Sequence, residues 1–287
     1  MFVIENDRIK VTLEELGAVV LSIVDKNDGS EHFWQWDPAI WPRRTAVCFP
    51  VCGVLIDSEY VYNGKTYSLP MHGFLRETRG ALTVVSADHA YLSFSDTEET
   101  RANYPFAFSV IIDYKLEGSS LIITYQVRNT GCSVMPYSIG AHYTYALPAK
   151  LPDCEYLFSS SPNAGSYTQD GCITGVSDVS LFKGNTLPMD HLFDVSGKIY
   201  KVSDLDTDYI AIGRNGNAFT KVEFSGFRNV VLWGKGNSSP FACIEPWDGI
   251  GDWFDHDKDI MHKRDINLLE PGAERVYTQK VSFGYDD

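Results

Sequence analysis

No uninterrupted apolar run in this 287-residue chain approaches the roughly 18 residues that a membrane-spanning helix needs, so a helical membrane anchor is not expected. The first residues, Met1-Phe2-Val3-Ile4-Glu5-Asn6-Asp7, lack a charged region followed by an apolar stretch, so no secretory leader is expected either. Basic residues are scarce: 24 Lys and Arg against 38 Asp and Glu leave a net charge of −14. A field of that sign repels polyanions, which argues against general nucleic-acid binding and against anionic membrane surfaces. Glycine-rich loops of the phosphate-cradling or dinucleotide type are missing. Ser138-Ile139-Gly140 lacks the preceding glycine of a nucleophile elbow. The six cysteines are scattered, and Cys48 and Cys52 have no second ligand pair, so neither a disulfide frame nor a structural zinc site is expected. Reduced, mostly buried thiols and a cytoplasmic location are the reading that follows. Asp255-His256-Asp257-Lys258-Asp259 begins like a calcium loop. Ile260 and Ile266 stand where that loop needs Gly and Glu, so a solvated acidic loop is expected instead.

Sustained helical spacing is also lacking, and what replaces it is alternation. Phe106, Phe108, Val110, Ile112, Tyr114 and Leu116 are every second residue. Glu117-Gly118-Ser119-Ser120 turns the chain, and Leu121, Ile123, Tyr125 and Val127 alternate back. This is a long hairpin with one buried face. Tyr60 to Tyr67 forms a second hairpin, with Asn63-Gly64 supplying the positive φ angles of a tight turn. Further strands are expected at Val19–Val24, Leu82–Val85, Tyr91–Phe94, Tyr209–Ile212, Lys221–Phe224, Val230–Trp233 and Val276–Phe283. The stretch from Pro148 to Asp208, rich in Ser, Gly, Pro and Asp, reads as the segment with least regular structure, an insertion across one face. No linker or charge block divides the chain, and a single large domain of this length buries roughly three quarters of its unfolded surface. The expected fold is all-β: one large antiparallel β-sandwich over residues 1–287, with little helix.

Against this structural background, three polar clusters sit at the edges of apolar runs. They are Met71-His72-Gly73-Phe74-Leu75-Arg76, Gly140-Ala141-His142-Tyr143 and Cys243-Ile244-Glu245-Pro246-Trp247. Together they offer imidazole, carboxylate, guanidinium and indole, a kit for proton transfer on a polyhydroxylated ring. Taken singly, His72 reads as a hydrogen-bonded strand-end histidine, His142 as a core or a functional residue equally, and Arg44 or Arg76 as a solvated charge. Glu245 is the sharpest: a carboxylate ending the run Pro240-Phe241-Ala242-Cys243-Ile244 is rarely buried unless paired or functional.

Taken jointly, the segments resemble the aldose 1-epimerase (mutarotase) family of the galactose mutarotase-like superfamily, and within it the LacX-like subgroup. The resemblance rests on Phe49-Pro50-Val51-Cys52-Gly53-Val54-Leu55, Tyr62-Asn63-Gly64-Lys65-Thr66-Tyr67, His72-Gly73-Phe74-Leu75-Arg76, Tyr137-Ser138-Ile139-Gly140-Ala141-His142, Cys243 to Asp252 and Ile266 to Gly272, in that order. It implies a cleft across one face of the sandwich, with Glu245 as general base and His142 as general acid. His72 and an arginine, Arg44 or Arg76, would bind sugar oxygens, and Trp247 would wall the cleft. It implies a small-molecule sugar as partner, no cofactor and no metal, in a monomer or homodimer. Two departures stand out. Tyr143-Thr144-Tyr145-Ala146 replaces the Pro-Ala-Phe-Asn of relatives, and Asp194 follows Leu192-Phe193 out of register with a carboxylate many relatives carry. A non-catalytic sugar sensor and a hexose-6-phosphate 1-epimerase stay open as alternatives.

Overall fold

The computed structural model describes residues 1–42, 47–148, 153–162, 166–170, 172–177, 182–189, 198–201, 205, 207–236 and 238–284; the side chains of 166–170, 176–177 and 198–201 are not described. Two large antiparallel sheets dominate. The nine-stranded sheet runs in the order Thr186–Pro188, Glu155–Phe158, Tyr209–Arg214, Asn217–Ser225, Glu274–Phe283, Ser120–Asn129, Phe108–Glu117, His89–Ser95 and Ala81–Ser86. The eight-stranded sheet runs Cys172–Ser177, Ser166–Asp170, Lys198–Lys201, Asn229–Trp233, Phe241–Asp248, Ile139–Ala141 and Val47–Cys48, with Thr144–Ala146 also pairing along Phe241–Asp248.

The expected hairpins and strands form, most within a residue or two of their predicted limits, while the strand expected at Lys221–Phe224 begins four residues earlier and spans Asn217–Ser225. Alternation explains the core. Val110, Ile112, Tyr114, Leu121, Ile123 and Tyr125 are fully buried along one face of the long hairpin. Buried tyrosines then stitch the two sheets together. The Tyr156 hydroxyl donates to the Cys243 carbonyl at 2.8 Å, and the Gln279 amide donates to Tyr145 at 3.1 Å. Tyr277 donates to Asp248 at 2.6 Å. Such partners let large amphipathic rings fill the interior without stranding their polar tips.

The segment from 148 to 208 departs from the expectation of a loop-rich insertion. Glu155–Phe158 and Thr186–Pro188 extend the nine-stranded sheet, while Ser166–Asp170, Cys172–Ser177 and Lys198–Lys201 extend the other. These strands are only three to six residues long, so their alternation is too brief to stand out from turn chemistry. A short helix, Glu98–Asn103, is held by reciprocal bonds between Thr97 and Thr100. No described helix is long and apolar enough to cross a membrane.

The two faces of the eight-stranded sheet differ in kind. Ala242, Ile244, Val230 and Leu232 point into the main core. The alternate residues Val231 and Trp247 join a separate cluster with Cys48, Cys52, Ile173 and Ile250, flanked by Trp233 and Trp253. This outer face carries the polar clusters singled out in the sequence.

Candidate active site

Strand register assembles the site. Gly140 pairs with Trp247 and Thr144 pairs with Cys243, so His142 falls opposite Glu245. On the other flank, Val231 pairs with Glu245 and Trp233 with Cys243. Residues directly opposite in an antiparallel pair hold their Cβ atoms roughly 4.5–5.5 Å apart. An imidazole and a carboxylate so placed meet with little torsional freedom. His142 Nδ1 lies 3.4 Å from Glu245 Oε2. The two atoms are not aligned as a hydrogen bond, and each is buried without another partner.

Aromatic rings enclose the imidazole. Trp41 stacks on it with centroids 5.3 Å apart and planes 25° from parallel, and Trp233 meets it edge-on at 5.7 Å. Glu245 is 1% exposed. Burial therefore drives both groups toward their neutral forms. The Glu245 carboxyl is pushed well above the ordinary carboxylate range by desolvation, reinforced by the Cys48 sulfur. His142 is held well below the ordinary imidazole value by desolvation and then by the positive fields of His72 and Arg76.

His72 is fixed by backbone. It and Gly73 both adopt positive φ, at 66° and 72°. Glycine is required at 73 because an added Cβ would stand 2.1 Å from the Phe49 carbonyl oxygen. The turn lets His72 Nδ1 accept from the Gly53 N–H at 3.1 Å. A neutral ring bonded this way carries its hydrogen on Nε2, which makes it a donor to whatever enters. The ring stands edge-on to His142 at 5.3 Å and to Trp247 at 5.5 Å. Trp247 is itself oriented by its Nε1–H, which donates to the Ala141 carbonyl at 3.0 Å. Arg76 follows in the turn Leu75–Glu77, its side chain only 12% exposed, close enough for its charge to reach His142. The structure thus brings together His72, His142, Glu245 and Trp247, with Arg76 beside them. Arg44 and Asp194 lie outside the described residues.

Sequence reasoning missed three neighbours. Cys243 sits two residues before Glu245, so the two share a face; strand period alone could have flagged it. Trp41 and Trp233 belong to an aromatic cluster with Trp34 and Phe241. The signal was the density of tryptophan at 34, 36 and 41. Behind the site, buried Lys263 and Asp252 pair at 2.6 Å, and Asp252 also accepts from the Ile56 N–H. The Asp252–Ile56 bond ties the segment after Phe241–Asp248 to the segment after Val47–Cys48. None of the six cysteines forms a disulfide, and Cys48, Cys52, Cys154 and Cys243 are buried. The Asp255–Asp259 segment is tied locally, with Asp257 capping the Asp259 N–H and Asp259 capping the Met261 N–H.

The sequence profile of the aldose 1-epimerase family matches residues 1–281. The chain belongs to the aldose 1-epimerase family. Among relatives of this epimerase-family chain, the chromosomal LacX protein of Lactococcus lactis subsp. lactis is 28% identical over 283 residues, spanning 93% of this chain and 94% of its own. A galactose mutarotase related enzyme from Lactobacillus acidophilus superposes with a TM-score of 0.88 at 28% identity, covering 99% of this chain and 97% of that one. A galactose mutarotase-like protein from Lactobacillus casei, at 24% identity, shares the fold with a TM-score of 0.91, covering 99% of this chain and 100% of that one.

Proposed function

We propose that this protein is a mutarotase, interconverting the α and β anomers of a hexose by opening and closing the ring. The carrying observation is the 3.4 Å separation of His142 Nδ1 and Glu245 Oε2, both without another partner, on the outer sheet face. The anomeric hydroxyl and the ring oxygen of a cyclic sugar share one carbon. A base for the first and an acid for the second must therefore be immediate neighbours, as these two are.

Glu245 accepts the proton of the C1 hydroxyl while His142 gives a proton to the ring oxygen. The C1–O5 bond breaks and C1 becomes an aldehyde carbon. Rotation about C1–C2 presents the other carbonyl face, and closure returns each proton in reverse. One mobile proton serves the cycle, moving from His142 to Glu245 on opening. Sugar hydroxyls donating to the partnerless carboxylate oxygen favour the ionised Glu245 that the opening step needs. His72 Nε2–H and an arginine, Arg76 or Arg44, bind ring hydroxyls, and Trp247 offers a flat wall for the apolar sugar face.

The test is exchange NMR between anomers of free aldoses and aldose 6-phosphates, with wild type beside Glu245→Gln. Faster exchange with wild type alone supports the reading, and the ranking of sugars names the substrate class. Binding without acceleration would replace it with a sugar sensor; acceleration confined to 6-phosphates would replace it with a hexose-phosphate epimerase.

A further inference from the structure

The proton chemistry leaves one group beside His142 and Glu245 unused. Cys243 is fully buried and shares its strand face with Glu245. Its Sγ, a His142 ring nitrogen and a Glu245 carboxylate oxygen all lie within 4.8 Å of one another. Two of the three residues present buried polar atoms with no hydrogen-bond partner, His142 Nδ1 and Glu245 Oε2. Their 3.4 Å separation without hydrogen-bond alignment has a second meaning. Zinc bonds to nitrogen and to oxygen of roughly 2.0–2.2 Å, at a tetrahedral angle, place those ligand atoms about 3.4 Å apart. A zinc–sulfur bond of about 2.3 Å places sulfur about 3.6 Å from either, within reach of small side-chain rotations.

We propose that His142, Cys243 and Glu245 form a three-ligand zinc site, and that Zn²⁺ held there switches off the cleft. The ligand set selects the ion. Imidazole, thiolate and carboxylate together suit zinc, whereas magnesium and calcium take mostly oxygen. On binding, the Cys243 thiol gives its proton to bulk water and the sulfur lone pair forms the metal bond. Any proton on Glu245 leaves in the same way. The fourth tetrahedral position faces the cleft, where water or a sugar oxygen completes the shell. Zinc and proton transfer need the same two atoms, so occupation by the metal excludes acid–base chemistry. The inhibitory half of this inference rests on the mutarotase reading; the binding half does not.

The experiment titrates chelator-stripped full-length protein with zinc sulfate against a chromophoric chelator, alongside anomer-exchange NMR. The expected result is one Zn²⁺ per chain bound at the site, with affinity at least tenfold weaker in Cys243→Ala and in the near-isosteric Cys243→Ser. Wild-type exchange should fall in step with occupancy and return with EDTA. X-ray absorption at the zinc edge should show one sulfur ligand. The surface pair His262 and Asp257, 2.9 Å apart, is the competing location, and His262→Ala controls for it. Equal zinc affinity in wild type and both Cys243 variants, or binding lost only in His262→Ala, would overturn the site. Zinc bound at Cys243 with exchange unchanged would overturn the inhibition. Metal-free wild type that fails to speed exchange would sink the mutarotase reading while leaving the zinc titration readable.

Discussion

The indole of Trp247 lies across the α-carbon of Gly140. A Cβ at 140 would stand 2.3 Å from the indole Cδ1, so only glycine lets the ring settle there. Gly140→Ala should force the indole off its bond to Ala141 and shift the wall beside His72. Overpacking of this kind costs about 1–3 kcal/mol. A displaced wall costs up to about 100-fold in kcat/KM. Thermal melts and anomer-exchange rates on the same preparation check both; an unchanged rate would detach Trp247 from the site.

Glu245→Gln and His142→Asn should each slow anomer exchange by roughly 100- to 10,000-fold, the usual worth of a positioned acid or base. Far-ultraviolet circular dichroism should stay that of wild type. The rate must be corrected for the spontaneous reaction. Full activity in either variant would remove that residue from the mechanism.

Burial of Glu245 makes stability depend on pH in a defined direction. Its folded-state pKa is raised above the ordinary 4.5, so above pH 4.5 the unfolded chain releases a proton that the folded chain keeps. Stability from this group is therefore complete below pH 4.5 and lost as pH rises toward the folded value. Glu245→Gln lacks that loss. Its melting temperature should gain on wild type as pH rises above 4.5, by roughly 2–4 °C for each kcal/mol. His142 works in the opposite sense. Its folded pKa lies below 6.5, so His142→Asn should gain on wild type as pH falls below that value.

Lys263 and Asp252 should behave as a unit. Both side chains are 1% exposed. Lys263→Met leaves a buried carboxylate beside His256, at a cost of about 3–5 kcal/mol. Adding Asp252→Asn removes the stranded charge and should restore most of the loss. A double-mutant cycle in urea measures the coupling.

Much of this was legible in the sequence because strand alternation is a strong signal when strands are long. Phe108–Glu117 and Ser120–Asn129 declare themselves. Thr186–Pro188 and Ser166–Asp170 do not, since three to five residues give too few periods. Glu245 was visible as a carboxylate in an apolar run, and the family resemblance grouped it with His142 and His72. That His142 would stand opposite Glu245 was not visible, because pairing register between residues a hundred positions apart is a tertiary property. Cys243 was hidden by its type, since a buried cysteine is the commonest kind of cysteine.

The spacing of His142 and Glu245 is set by the pairing of two strands, and this makes their gap a gauge of register. A slip of one residue between Thr144–Ala146 and Phe241–Asp248 would turn His142 to the opposite side of the sheet. The gap between the two side chains therefore depends on the hydrogen-bonded ladder of a fully buried strand. Loops outside that ladder can change in length and sequence without resetting it.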